Sequence, residues 1–318
     1  MSSREYEPKP LFIERMKKLL GDNFDIYMKT LKIPVLKSFR CNTLKISPEE
    51  LKKRLENNGW KIKIPFKDFP EIMIVESELQ PGELGRALEH LLGYYYIQEI
   101  ASMLPVLVLN PTSKDKVLDL CASPGSKTTQ ISARMENEGL LIANEVKFGR
   151  VKILAANIER CGVMNVIMTR RDGIALCKRF QKEGILFDKI LLDAPCSGEG
   201  TIRSTSRTLE MWNPQTIENL SKLQKALIAS CIEVLKPNGE LIYSTCTHAP
   251  EEDEEVVDFA LKNFNVKVEK IKLPLETQEG ITKWEGKTYD KQVKLTHRVY
   301  PHLSDTEGFF VAKLRKTK

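Results

Sequence analysis

A chain of 318 residues with 42% hydrophobic and 29% charged content has room for one large domain, or for a mid-sized domain with an appendage, and has the balance of an ordinary soluble globular protein. The opening Met1-Ser-Ser-Arg-Glu-Tyr6 has no apolar core, so no signal peptide is predicted, and the longest apolar runs, such as Met103 to Leu109, are too short to span a bilayer; a cytoplasmic protein without membrane contact is expected. The net charge of +6 is carried by residues 262–318, with thirteen Lys/Arg against seven Asp/Glu, while the preceding 261 residues hold 36 of each sign; this suits a polyanion partner or, equally, a solvated Lys-rich surface.

Residues 1–110 read as a separate small α+β module. Leu11 to Leu20 and Phe24 to Leu31 carry helix-period apolar residues, with Gly21 between them. Ser38 to Ile46 is predicted as a strand, holding Arg40, Asn42 and Thr43. Ser47-Pro-Glu-Glu50 is a capping box with proline at the first helical position, and Gly59 closes that helix. Strands are predicted over Trp60 to Phe66 and Ile72 to Val75. The stretch from Gly82 to Leu109 is predicted mostly helical, interrupted by Tyr94-Tyr-Tyr96, a run that suits packing between two domains or stacking on bases.

From residue 111 the pattern becomes a βα alternation. Strands are predicted at Val117–Cys121, Leu140–Asn144, Val166–Thr169, Phe187–Leu192 and Glu240–Ser244. Helices are predicted at Lys127–Met135, Phe148–Cys161, Gly173–Phe180 and from Asn213-Pro214 to about Leu235, with Pro237-Asn-Gly239 as a turn. Such repetition gives an α/β, Rossmann-like doubly wound, mostly parallel sheet over 111–318.

Acids and thiols gather at the carboxyl ends of these strands, where open α/β sheets bind ligands. The first strand runs into Asp119-Leu-Cys-Ala-Ser-Pro-Gly-Ser-Lys127, a turn opening a helix. With one glycine it is neither G-x-G-x-x-G nor a P-loop, and a compact ligand with one carboxylate fits it better than a pyrophosphate. Glu145 stands at the second strand end, placed for ribose hydroxyls, and Asp172 at the third, placed for an adenine amino group or simply as a helix cap. Together they indicate an adenosine-containing ligand with a small charged tail, for which S-adenosylmethionine is the natural choice. The fourth strand delivers Asp193-Ala-Pro-Cys196 and the fifth Ser244-Thr-Cys246, and Pro250-Glu-Glu-Asp-Glu-Glu255 suits an acidic first helical turn.

Seven cysteines (Cys41, Cys121, Cys161, Cys177, Cys196, Cys231, Cys246), an odd number without a C-x-x-C pair, argue against a disulfide framework or a zinc site. Most are expected to be small core residues, and Cys121, Cys196 and Cys246 stand apart by their polar neighbours. Two thiols, a carboxylate and a methyl donor are what methylation of a pyrimidine at C5 requires. That carbon is not nucleophilic until a thiolate adds at C6, a carboxyl group must hold N3, and a base must remove the C5 proton.

The motifs Asp119 to Thr128, Asp193-Ala-Pro-Cys-Ser-Gly198 and Ser244-Thr-Cys246 resemble those of the Sun (Fmu/Nop) family of RNA cytosine-5 methyltransferases, the short archaeal tRNA members above all. Phe39-Arg-Cys-Asn-Thr-Leu-Lys45, Arg298-Val-Tyr-Pro-His302 and Glu307-Gly-Phe-Phe310 extend the likeness over nearly the whole chain. The resemblance implies that Cys246 attacks C6 and that Cys196 assists proton removal or release of the adduct. It implies that Asp193 pairs with the N3/N4 edge of a flipped cytosine beside the methionine end of the cofactor, with Lys127 in the same pocket. The cofactor would be held by Cys121, Ala122, Ser123, Pro124, Gly125, Ser126, Lys127, Glu145, Arg150, Asp172 and Asp193. The family turn usually has two glycines, and Ser126 takes the place of the second, a change expected to be tolerated. Arg40, Asn42, Tyr94 to Tyr96 and the basic C-terminal segment become candidates for RNA contact, and His302 fits the terminal motif.

These readings converge on an S-adenosylmethionine-dependent enzyme forming 5-methylcytosine in RNA, tRNA ahead of rRNA, acting as a monomer; a protein partner that tunes specificity stays open. A DNA cytosine-5 methyltransferase would need Cys196 for attack. A non-catalytic RNA-binding or assembly factor would have no use for two thiols, and a nicotinamide dehydrogenase is disfavoured by the single-glycine turn.

Overall fold

The structure, a computed structural model, describes residues 7–317. The Met1–Tyr6 stretch, whose lack of an apolar core argues against a signal peptide, lies outside the described residues, as does Lys318. The N-terminal part contains α1 (Pro10–Leu20), α2 (Phe24–Thr30), β1 (Lys37–Cys41), α3 (Pro48–Asn57), β2 (Ile62–Lys63), β3 (Ile72–Val75), α4 (Glu83–Arg86), α5 (Leu88–Leu91) and β4 (Tyr95–Ile97). Its sheet has the order β2-β3-β1-β4, antiparallel throughout. The capping box works as its chemistry dictates, Ser47 Oγ accepting from the Glu50 N–H at 3.2 Å.

Two predicted strands of this part are shorter in the structure, and the one expected over Ser38 to Ile46 ends at Cys41. Only Ile62–Lys63 of the Trp60–Phe66 stretch pairs as a strand. The Gly82–Leu109 stretch is mostly helical and interrupted at the tyrosine run, as expected. It folds as two single-turn helices, β4, and α6 (Ile100–Leu109). The tyrosine run explains the break, because β-favouring Tyr95 and Tyr96 pair with Cys41 and Arg40 of β1.

That pairing also decides the tyrosines' role. Tyr95 is buried with its Oη donating to Leu84 O, Tyr96 is buried beside the cleft lined by Asp193 and Cys246, and Tyr94 is half-buried with Arg54 over its ring, so none of the three stands free in solvent. Arg40 and Asn42 are buried too, and the expectation of RNA contact fails for both. Arg40 donates to Gln98 Oε1 at 3.2 Å and Thr129 Oγ1 at 2.9 Å, while Asn42 Nδ2 donates to Gly93 O and Cys161 O. They fasten the N-terminal sheet to the following domain. Gly93 permits this fit: its φ is +73°, and an added Cβ would stand 1.9 Å from Arg160 O.

The second sheet is built on β5 (Lys116–Asp119), β6 (Leu140–Asn144), β7 (Val166–Thr169), β8 (Phe187–Asp193) and β9 (Leu235–Thr245). Four helices accompany them: α7 (Ser126–Arg134), α8 (Phe148–Cys161), α9 (Gly173–Lys182) and, after the short α10 (Arg207–Met211), α11 (Pro214–Glu233). The parallel order β9-β8-β5-β6-β7 reverses direction at β5, so the carboxyl ends of β5 and its neighbours open a crevice. The strand predicted from Glu240 begins earlier, at Leu235, and passes through the Pro237-Asn-Gly239 stretch.

Beyond α12 (Glu254–Asn263) the chain adds β10 (Val266–Val268), β11 (Gln278–Glu279), the hairpin β12 (Lys283–Trp284) and β13 (Lys287–Thr288), β14 (His297–Val299), α13 (Pro301–Ser304) and β15 (Phe309–Lys316). β15 pairs antiparallel with β9 and extends the sheet through β14 to β11, so the nine-stranded sheet is parallel at its centre and antiparallel on this flank. The core between sheet and helices includes Leu118, Ile190, Leu192, Leu227, Leu241 and Phe310, all nearly or fully buried. Among the described residues no helix is long and apolar enough to cross a membrane.

Candidate active site

β8 and β9 lie side by side in parallel, with Asp193 level with Ser244. Each strand then turns outward over two or three residues, which brings Cys196 and Cys246 together with sulfurs 3.2 Å apart. The Cys246 N–H also points at Cys196 Sγ, at 3.3 Å. The hydrogen bond to the Cys246 sulfur, followed by burial, pushes the Cys196 thiol well above its usual range. Either sulfur can donate in the contact between them. All seven cysteines are free, and Cys41, Cys161, Cys177 and Cys231 are buried.

The two cysteine loops are held in register by a polar seam. Ser197 Oγ and Thr247 Oγ1 are 2.7 Å apart. Glu199 accepts from Trp212 Nε1 at 2.6 Å and from the His248 N–H at 3.3 Å. Gly200 N–H donates to Cys246 O, and Gly308 N–H to Gly200 O, both at 2.9 Å. A Cβ on Gly200 would fall 2.2 Å from Gly308 O, so only glycine permits this three-chain stack. The acidic run does open a helix, with Glu254 and Glu255 in the first turn of α12, and it is buried at Glu252, Asp253 and Glu254. Glu252 accepts from Ser197 N–H and Gln224, and Asp253 from Thr245 Oγ1, so these acids fasten the same loops from beneath.

Asp193 is fixed from both sides. Ser244 Oγ donates to its Oδ1 at 2.8 Å, and Lys127 Nζ meets its Oδ2 at 2.8 Å. Lys127 is buried on the first turn of α7, donates to Ser102 Oγ at 2.8 Å, and lies over the Phe309 ring with 5.1 Å to the centroid. Ser102, Phe309, Thr201 and Glu99 are site neighbours that motif reading missed. They line one cleft of about 480 Å³ together with Cys246, Asp193, Lys127, Asp119 and the turn from Cys121 to Ser126. Glu307 and Phe309 belong to a stretch already marked as a motif, so the signal was present without a role attached. A separate cleft of about 620 Å³ beside α3 and α5, lined by Arg54, Trp60 and Glu83, contains none of these groups.

The turn from Cys121 to Ser126 lines the cleft that holds Cys246, whereas Glu145, Arg150, Asp172 and Cys196 stand outside its lining. Gly125 adopts φ +104°, and no side chain caps the N-terminus of α7. Ser126 is already the first residue of that helix, so it needs no left-handed conformation, which explains why serine is tolerated there. Glu145 is buried at the end of β6, where it accepts from Lys147 N–H and pairs with Arg150 at 3.2 Å. Arg150 also donates to Ser123 O at 2.5 Å, which makes it a brace between Glu145 and the turn. Asp172 caps α9 through Ala175 N–H at 2.9 Å and is exposed at the end of β7.

Asp119 completes the floor. Its Oδ2 accepts from Thr128 Oγ1 at 2.7 Å, while Oδ1 is buried without a partner. Burial pushes its carboxyl up to about 7, and burial together with Glu307 does the same for Glu99. A carboxyl raised in the folded state binds more protons there than in the unfolded chain, so its contribution to stability declines as pH rises from about 4 through 7. Asp119→Asn is expected to flatten that decline, stabilising the chain at pH 8 relative to pH 5 by about 1–3 kcal/mol. Urea denaturation at the two pH values checks this; an unchanged slope with pH would remove Asp119 as its source.

The residue pattern and the geometry meet in a known group of proteins. The 16S rRNA methyltransferase RsmB/F family matches residues 106–315, and the N-terminal domain of the 16S rRNA methyltransferase RsmF matches residues 9–100. A tRNA (cytosine(49)-C(5))-methyltransferase of Pyrococcus abyssi is 42% identical over 96% of both chains. The ribosomal RNA small subunit methyltransferase F of Vibrio parahaemolyticus is 40% identical over 96% of this chain, which spans 62% of that relative's length. Among solved structures, a methyltransferase homologue from Pyrococcus horikoshii superposes with a TM-score of 0.85 at 36% identity, covering 97% of this chain and 95% of its own. NSun6 from Pyrococcus horikoshii with SFG gives 0.82 at 28% identity, covering 99% of both. A methyltransferase sheet, a paired-cysteine cleft and relatives of this extent leave one placement: the chain belongs to the RsmB/F, or Sun, family of S-adenosylmethionine-dependent RNA cytosine-5 methyltransferases.

Proposed function

We propose that the chain methylates C5 of cytosine in tRNA through a covalent bond between Cys246 Sγ and C6 of the base. The observation that carries this reading is the 3.2 Å contact between two thiols at the ends of adjacent parallel strands, beside an ion-paired carboxylate. Cys246, which lines the cleft beside Asp193 and Lys127, is the attacking sulfur, and its addition at C6 makes C5 nucleophilic. Asp193, oriented by Ser244 and Lys127, pairs with the N3/N4 edge, so that charge developing on the ring is met by the Lys127 ammonium across the carboxylate. S-adenosylmethionine, when bound, supplies a methyl group activated by the sulfonium beside it. Cys121 to Lys127, Glu145 and Asp172 would hold it, Arg150 acting through Glu145. As the adduct breaks down, Cys196 gives its proton to the departing Cys246 sulfur and takes the C5 proton in exchange, and the electron pair of that C–H bond returns to the C5–C6 bond.

Support for tRNA over rRNA comes from the Pyrococcus abyssi relative, which is named for a tRNA cytosine and matches this chain over almost its whole length. Nucleosides from unmodified tRNA incubated with protein and S-adenosylmethionine should contain 5-methylcytidine by mass spectrometry. Product on 16S rRNA alone would move the substrate to rRNA. Asp172→Ala is expected to weaken cofactor affinity by about 0.5–1.5 kcal/mol, the net worth of one hydrogen bond; an unchanged dissociation constant by calorimetry would reduce Asp172 to a helix cap.

A further inference from the structure

Between the end of α2 and the start of β1 runs a six-residue loop, Leu31 to Leu36, without regular structure. Its two aliphatic tips are bare: Ile33 is 56% and Leu36 41% exposed. Yet its backbone is firmly pinned. The Arg203 side chain, with no exposed surface, donates to Ile33 O at 2.7 Å and Pro34 O at 3.1 Å. The same guanidinium donates to Thr306 O at 3.2 Å and to Asp305 Oδ1 at 2.5 Å. Arg203 lies two residues after Thr201, and Thr306 precedes Glu307, and both Thr201 and Glu307 line the cleft that holds Cys246. One buried cation therefore ties the backbone of this loop, at Ile33 and Pro34, to the segments of Thr201 and Glu307 that line the active-site cleft. Lys29 and Lys32, both exposed, flank its bare tips.

A cytosine in a helical stack cannot present C6 to a sulfur inside a cleft. The base has to leave the stack, at a cost of a few kcal/mol, and apolar side chains that slip between base steps offset that cost. A wedge that is ordered in advance loses little entropy on insertion. We propose that the Ile33–Leu36 loop is such a wedge: it enters the RNA beside the target cytosine and fills the gap left by the extruded base, while Lys29 and Lys32 meet the flanking phosphates. The basic flank favours RNA over a protein as occupant. The inference rests on RNA cytosine as the substrate of the site described above.

The test compares wild type, I33A/L36A and I33M/L36M on two RNAs built around the methylated position, one with the target cytosine paired in a stem and one with it bulged. The alanine pair is expected to lose about tenfold or more in kcat/KM on the paired RNA, where stacking has to be broken, and to stay within about twofold of wild type on the bulged RNA. The methionine pair should restore most of the activity, and because both sites are exposed the melting temperature should not move. Equal kcat/KM for wild type and the alanine pair on the paired RNA, or an equal loss on both RNAs, would overturn the wedge. A 2-aminopurine replacing the target base reads extrusion by fluorescence without methyl transfer. A rise with wild type that the alanine pair abolishes supports the wedge even if no 5-methylcytidine forms, in which case it is the proposed reaction that fails. No rise with wild type would sink the wedge itself.

Discussion

Cys246→Ala is expected to abolish 5-methylcytidine formation, a loss on the order of 10⁴-fold or more, while cofactor affinity stays within about twofold. The two effects separate because Cys246 lies at the end of β9, whereas the cofactor turn and Glu145 stand at the ends of β5 and β6. Without a thiolate added at C6, C5 of cytosine is not nucleophilic enough to take the methyl group. Cys196→Ala should behave in the opposite manner. Attack by Cys246 is retained, but the thiol that contacts it at 3.2 Å is gone, so a covalent RNA–protein adduct should accumulate and appear as a shifted band on a denaturing gel. A DNA-type division of labour would exchange the two phenotypes: turnover would survive Cys246→Ala, and Cys196→Ala would form no adduct. Full activity in Cys246→Ala would end the mechanism proposed here.

How far the sequence reveals this site depends on how local each piece of chemistry is. The strand-end groups Asp119, Glu145, Asp172, Asp193, Cys196 and Cys246 are legible because a parallel sheet converts chain order into a row of tips along one edge, and the βα pattern shows where each tip falls. Arg40 and Asn42 mislead for a related reason. Polar residues inside a short strand look like ligands for RNA, but here they reach across a domain boundary to Thr129 and to Cys161 O, partners 89 and 119 residues away. Nothing local announces such a bond. The acidic run is legible as a first helical turn, but its burial at Glu252, Asp253 and Glu254 is not, because only the later strand β14, bringing Arg298 into the core, makes that burial tolerable. The antiparallel flank formed by β10, β11, β14 and β15 escaped prediction because its strands are short or separated by loops without a repeating period.

That buried acidic run carries the second large effect. Arg298→Met should destabilise the fold by about 3–5 kcal/mol, since removing one partner strands the other charges in a medium that solvates them poorly. The Arg298 guanidinium is 1% exposed and grips Glu254 with both Nε and Nη2; Asp253 Oδ2 lies 3.7 Å from Nη2. Its Nη1 donates to His248 O at 3.0 Å and Tyr300 Oη at 3.1 Å, so the loop that carries Cys246 rests on it as well. Met fills much of the same volume but offers no donor, and Glu254 and Asp253 are fully buried. In the variant these carboxyls can lower their cost only by taking up protons. Their folded pKa then exceeds the unfolded value of about 4.3 for Glu, the folded state binds more protons, and stability falls as pH rises. The deficit relative to wild type should therefore be larger at pH 8 than at pH 5. Arg298→Lys, which keeps the charge but loses the fork, should recover part of it. Urea denaturation of the three proteins at both pH values reads this directly: a loss below about 1 kcal/mol, or one that does not change with pH, would mean that the acids beneath the cysteine loops are held by something other than Arg298.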